Sequence, residues 1–127
     1  MIVGLGTDLV EISRIEKILR RTSRLFLRRL LSEKELAALD SILDEQRKAE
    51  WVAGRFAAKE AFVKALGTGI SGLVPLSSID ISTDGSHRLS VKVPSNVYSH
   101  IGHRVQCHLS ITHTSMAAEA TVVLELA

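Results

Sequence analysis

With 127 residues, 46% of them hydrophobic, the chain is long enough for one domain with a real core and too short for two ordinary ones, so residues 1–127 are expected to form a single domain. One cysteine, Cys107, excludes an intrachain disulfide framework and zinc-type cysteine spacing, and Met1 leads into an apolar stretch without the basic start of a secretory signal or membrane-spanning length. A soluble, cytoplasmic protein without a membrane partner is the expectation. The net charge of +2 hides an asymmetry: seven basic residues between positions 14 and 29, among them Arg14, Arg21, Arg24 and Arg29, face only Glu16. Such a stripe on a nearly neutral protein suits an acidic partner better than a general polyanion such as a nucleic acid, although a solvated arginine-rich helix face has the same pattern.

In chain order, residues 2–6 read as a short buried strand that delivers Thr7 and Asp8 at its end. Ser13 with Glu16 makes a capping-box pattern ahead of Ile15, Ile18 and Leu19, and Ser32 with Glu35 repeats it ahead of Leu36, Leu39 and Ile42. Between them lies an apolar cluster around Leu25, Phe26, Leu27, Leu30 and Leu31. A helical hairpin is predicted to lead into the next segment.

That segment, Trp51–Ile70, is the most unusual in the chain. Alanine, leucine, lysine and glutamate favour helix, and Gly67 supplies a C-terminal stop where positive φ is tolerated. On a helical wheel the large apolar residues fill one broad arc, and Ala53, Gly54, Ala57, Ala61 and Ala65 cover most of the rest. No wide solvated face remains, so Arg55, Lys59, Glu60 and Lys64 must emerge between packed surfaces and need partners. Those partners are either a phosphate or metal ligand, or one another, as in a Glu60–Lys64 pair at i, i+4.

After Ile70 the pattern turns to strands. Residues 78–93 predict a β-hairpin turning at Asp84 and Gly85, Ser95–Ile101 a short helix, Val105–Thr112 a half-buried strand, and Ala117–Leu126 a closing strand. The fold class is α+β, with an N-terminal strand and helices packed on a mainly antiparallel sheet.

Asp8 and Glu60 come from different elements, and two carboxylates near basic groups suit magnesium, which keeps waters and accepts phosphate oxygens; a turn-capping Asp8 is the plain alternative. The loop Gly67–Gly72 lacks the lysine and spacing of a P-loop, which excludes a nucleotide-hydrolase reading. His103, His108 and His113 recur every five residues, but odd spacing on one strand puts His108 and His113 on opposite faces, so they do not share an ion. His113, between Thr112 and Thr114, is placed either to contact a ligand or to serve as a satisfied turn histidine.

Three stretches in order, GLGTDLVEISRIE, GRFAAKEAFVKALGTGI and HLSITHT, resemble the holo-acyl-carrier-protein synthase family of 4′-phosphopantetheinyl transferases over essentially the whole chain. The resemblance implies transfer of 4′-phosphopantetheine from coenzyme A to a serine hydroxyl of apo acyl carrier protein, with magnesium, release of adenosine 3′,5′-bisphosphate and a place in fatty acid biosynthesis. It implies Asp8 and Glu60 as magnesium ligands, with Glu60 or Asp8 taking the serine proton. It implies Lys64 near the phosphates and Arg55 and His113 at the adenosine end. It also gives the basic stripe, through Arg14, Arg21, Arg24 and Arg29, the acidic carrier protein as its partner. A homotrimer with sites between subunits follows from the same resemblance, as does something for the alanine face to pack against. Where many members carry Gly-Lys-Pro in the hairpin turn, this chain has Gly85, Ser86, His87, Arg88, so Arg88 is not assigned a role. The competing reading is a non-catalytic basic adaptor for an acidic protein or RNA.

Overall fold

The computed structural model describes residues 1–21, 24–67 and 74–127. Strand β1 (Ile2–Glu11) runs directly into helix α1 (Ile12–Arg21), followed by α2 (Leu25–Leu30), α3 (Glu33–Asp40) and the 22-residue α4 (Glu45–Leu66). A 3₁₀ turn (Leu76–Ser78), strands β2 (Asp80–Thr83) and β3 (Leu89–Lys92), helix α5 (Ser95–Ile101), and strands β4 (Val105–His113) and β5 (Ala117–Leu126) complete the chain. The longer strands form an antiparallel sheet in the order β1-β5-β4, and β2-β3 is the predicted hairpin, paired Asp80 to Lys92. The α+β expectation holds.

The centre of the molecule is α4 lying across one face of the larger sheet. Ala118, Ala120, Val122 and Leu124 of β5 are all 1% exposed or less on that face. Even-numbered residues of β1 turn the same way, and their sizes explain the closeness of the contact. A Cβ on Gly4 would stand 2.1 Å from the Ala65 carbonyl oxygen, and one on Gly6 2.0 Å from that of Ala61. Here glycine is required by space. The alanine face of α4, expected to meet another subunit, is thus filled by the chain's own first strand.

Three other expectations change. The first strand is ten residues long and buried on one face only: Leu5 is 65% and Leu9 70% exposed. An apolar run was read as burial on both sides, whereas α4 covers just the side that carries the glycines. Asp8 therefore sits within the strand rather than at its end, facing α4. Helix α1 begins at Ile12, ahead of Ser13, because the strand feeds it without a break and Ile12 N donates to Met116 O at 2.9 Å. No capping box is used there. The second box is present, with Glu35 N donating to Ser32 Oγ at 3.2 Å and Ser32 N to Glu35 Oε1 at 2.8 Å.

Helix α4 also starts earlier than Trp51, capped by Asp44, whose Oδ2 accepts from Arg47 N at 2.9 Å. It ends as predicted, with Gly67 at φ 76°. The rest of the Gly67–Gly72 loop lies outside the described residues. Among the described residues no helix is long and apolar enough to cross a membrane.

Candidate active site

Asp8, on the α4 side of β1, meets Lys64. The Lys64 ammonium donates to Asp8 Oδ1 and to the Thr7 carbonyl oxygen, each at 3.0 Å, with side-chain exposures of 56% for Lys64 and 17% for Asp8. Glu60 lies one helical turn before Lys64 and thus on the same side of α4; it is half-buried, and no partner for its carboxylate occurs among the described residues. The internal Glu60–Lys64 pair is not formed. Instead Lys64 pairs with Asp8 where β1 crosses α4, and Glu60 stands one turn away on the same side of the helix.

Two turns back along α4, Arg55 and His113 line one cleft of about 210 Å³, together with Trp51, Ile111 and Arg47. Arg55 is 9% exposed, its guanidinium lies 4.6 Å from the Trp51 ring centroid, and its buried Nε has no hydrogen-bond partner. Burial pulls its pKa below the ordinary arginine value, partly offset by the charge of Glu35. A buried guanidinium with an unused donor beside a cleft is poised for an anion. His113 sits at the end of β4 with Nδ1 3.2 Å from Thr114 O. Arg47 lies outside the helix that the sequence pattern predicts from Trp51, and it joins the cleft because Asp44 caps α4 six residues earlier.

The histidine parity argument holds, since His108 pairs across to Val123 and His113 to Ala118, on opposite faces of the sheet. His108 contacts Glu125 at 2.9 Å. Among the described residues no group of three or more His, Cys, Asp or Glu side chains is arranged to hold a metal. Arg88 lines a different cleft, about 890 Å³, with Lys92, Tyr98, Arg104 and Cys107.

In the basic stripe, Arg14, Arg21, Arg28 and Arg29 are exposed. Arg24 is held by Asp40 in a two-pronged pair at 2.9 and 3.1 Å, which raises the arginine and lowers the carboxyl pKa. Arg20 lies 3.5 Å from Glu16. Lys59, although next to Glu60, points away into the core and is fully buried. Desolvation lowers its pKa, while its hydrogen bond to Glu35 works in the opposite direction.

Residues 4–123 match the family described as the 4′-phosphopantetheinyl transferase superfamily. Among curated proteins, the chain is 43% identical over 125 residues to the holo-[acyl-carrier-protein] synthase of Staphylococcus carnosus, covering 98% of each. Among solved structures it is similar to a Bacillus anthracis holo-(acyl-carrier-protein) synthase in complex with CoA (3′,5′-ADP), with TM-score 0.85 and 38% identity over 100% of this chain and 99% of that one. The Helicobacter pylori holo-[acyl-carrier-protein] synthase in complex with coenzyme A gives TM-score 0.82 and 31% identity over 95% and 99%.

Proposed function

The chain belongs to the 4′-phosphopantetheinyl transferase superfamily, and we infer that this transferase moves 4′-phosphopantetheine from coenzyme A to a serine hydroxyl of apo acyl carrier protein. The bond formed joins the serine oxygen to the phosphorus bearing the pantetheine arm. The bond broken joins that phosphorus to the bridging oxygen, whose electron pair leaves with adenosine 3′,5′-bisphosphate. The serine belongs to the partner, so this chain has to position, neutralise charge and remove a proton.

The observation that carries the assignment of roles is the pairing of Lys64 with Asp8 across β1 and α4, with Glu60 one helical turn from Lys64. Lys64, largely exposed and only one turn from Glu60, is free to exchange its bond with Asp8 for pyrophosphate oxygens. Asp8 already accepts a cation at Oδ1, and two carboxylates without a third ligand fit magnesium, which completes its shell with water and phosphate oxygens. Asp8 and Glu60 would hold that ion, whose chemistry is to offset charge on the leaving phosphate. Glu60, half-buried and without a partner among the described residues, is assigned to accept the serine proton, directly or through water. The unused Arg55 Nε, with His113 in the same cleft, supports their assignment to the adenosine end and its 3′-phosphate.

Arg14, Arg21 and Arg29 are assigned to the acidic carrier protein, with Arg24 contributing through its pair with Asp40. The exposed apolar residues Val3, Leu5 and Leu9 on the outer face of β1 support assembly with further copies, and we assign a homotrimer with sites between subunits. A cytoplasmic location fits the free thiol of Cys107.

Intact-mass spectrometry of apo carrier protein, incubated with magnesium, coenzyme A and this protein, should show addition of the arm. Glu60→Gln should lower turnover by about a thousandfold; ordinary activity in that variant removes Glu60 from the site. Sedimentation of the same preparation should give three times the chain mass, and a fully active monomer overturns the placement between subunits.

A further inference from the structure

The pair of Lys59 and Glu35 is the most buried charged contact described, at 0% and 1% side-chain exposure, and the transfer chemistry makes no use of it. Lys59 Nζ donates to Glu35 Oε1 at 2.5 Å, to the Leu30 carbonyl oxygen at 2.7 Å and to that of Leu76 at 3.0 Å. All three of its donors are thereby used. Glu35 accepts from Ser32 N through Oε1 at 2.8 Å and from Ile81 N through Oε2 at 3.2 Å. Ser32 Oγ in turn donates to Asp80 Oδ1 at 2.5 Å. One ammonium on α4 thus ties together the last residue of α2, the first turn of α3, the 3₁₀ turn and the start of β2.

Folding alone does not account for this choice, because well-packed apolar residues of similar volume commonly replace a buried ion pair without loss of stability. What apolar contact does not supply is direction. The hydrogen bonds fix the end of α2 at Leu30, and the two residues just before it are the exposed Arg28 and Arg29. At the other end of the same tether, the residue after Lys59 is Glu60.

We propose that Lys59 and Glu35 are positioning residues for the carrier protein, holding α2 and its arginines at a fixed reach from Glu60 so that an acidic partner docked there presents its serine to the transfer cluster. The proposal rests on the transfer reading above. It assigns the pair no contact with coenzyme A: the residues assigned to that ligand lie on β1, α4 and β4, and Arg55, one turn before Lys59, feels the charges of both members, which the double variant below removes together.

The test compares the wild-type protein with the double variant Glu35→Gln, Lys59→Met, which removes both charges while the glutamine keeps an acceptor for Ser32 N. With folding checked by circular dichroism melting, the variant should raise KM for apo carrier protein about tenfold and leave KM for coenzyme A within about twofold. Arg29→Glu should raise the carrier KM in the wild-type background and add much less in the double variant, since both act on the same docking step. Loss of folded protein would lower the apparent kcat without producing that split. A folded variant with both KM values unchanged, or with both raised equally, overturns the positioning role. Should the double variant fail to fold, Ser32→Ala loosens the same tether at its partly buried edge; it should raise the carrier KM about threefold, and an unchanged value overturns the proposal. A wild-type protein that transfers nothing removes the transfer reading itself, a result distinct from either.

Discussion

Lys59 and Lys64 sit five residues apart on one helix, and each bonds a carboxylate and at least one backbone carbonyl oxygen, yet they lie in opposite settings. Lys59 is sealed in the core with every donor satisfied; Lys64 is more than half exposed and bonded to an aspartate at the mouth of a site. Pairing is common to both, so pairing does not mark the functional charge. Burial does. An exposed ammonium exchanges one anion for another at little cost, whereas a sealed one is committed to the geometry in which it folded.

The largest effect that separates the two is on stability. Lys59→Met alone leaves Glu35 buried without its counter-ion and the Leu30 carbonyl oxygen without its Lys59 donor, while that of Leu76 keeps only Ile79 N at 3.2 Å, and it should cost about 3–5 kcal/mol in a urea titration. A loss under about 1 kcal/mol would mean that water reaches the pair, and the contrast would collapse. Lys64→Met should reverse the pattern. Turnover should fall by about a hundredfold or more, as when a preorganised donor to developing charge is removed, while stability changes by less than about 1 kcal/mol. A Lys64 variant that unfolds but keeps its specific activity would move Lys64 to the structural side.

The architecture was largely legible from pattern, and the exceptions have physical reasons. Alternation in the second half predicts β4 and the hairpin, the apolar run Ala117–Leu126 predicts β5, and the Ser32–Glu35 box is present as the pattern requires. The length of β1 was missed because Gly4 and Gly6 speak of close approach rather than strand, and only the structure says what approaches: the carbonyl oxygens of Ala61 and Ala65. At the site, the four charges of α4 were recognised as needing partners, but periodicity cannot say which partner is buried. Glu35 was read only as half of a capping box. It is also the counter-ion of Lys59, and nothing in local spacing links residues 24 positions apart. The meeting of Asp8 with Lys64 is likewise a fact of tertiary packing, reached in sequence only through the family motif.

The pH effect that is nil near neutrality and appears only in alkali concerns an ionisable group that, unlike Lys59, is desolvated without a charged partner to offset it, the half-buried thiol of Cys107. Burial pushes the Cys107 thiol from an ordinary 9.0 up to about 12, even though Arg88 and Arg104 line the same cleft. The folded chain therefore holds the thiol proton over a range in which the unfolded chain releases it. This contribution is fully present below pH 9 and is lost as pH rises toward about 12. In urea titrations, the stability of wild type relative to Cys107→Ala should be constant through neutral pH and decline steadily above pH 9. A difference that stays flat across that range would place the thiol in an ordinary aqueous setting, and burial could then no longer be used to sort the charges of this molecule into structural and chemical ones.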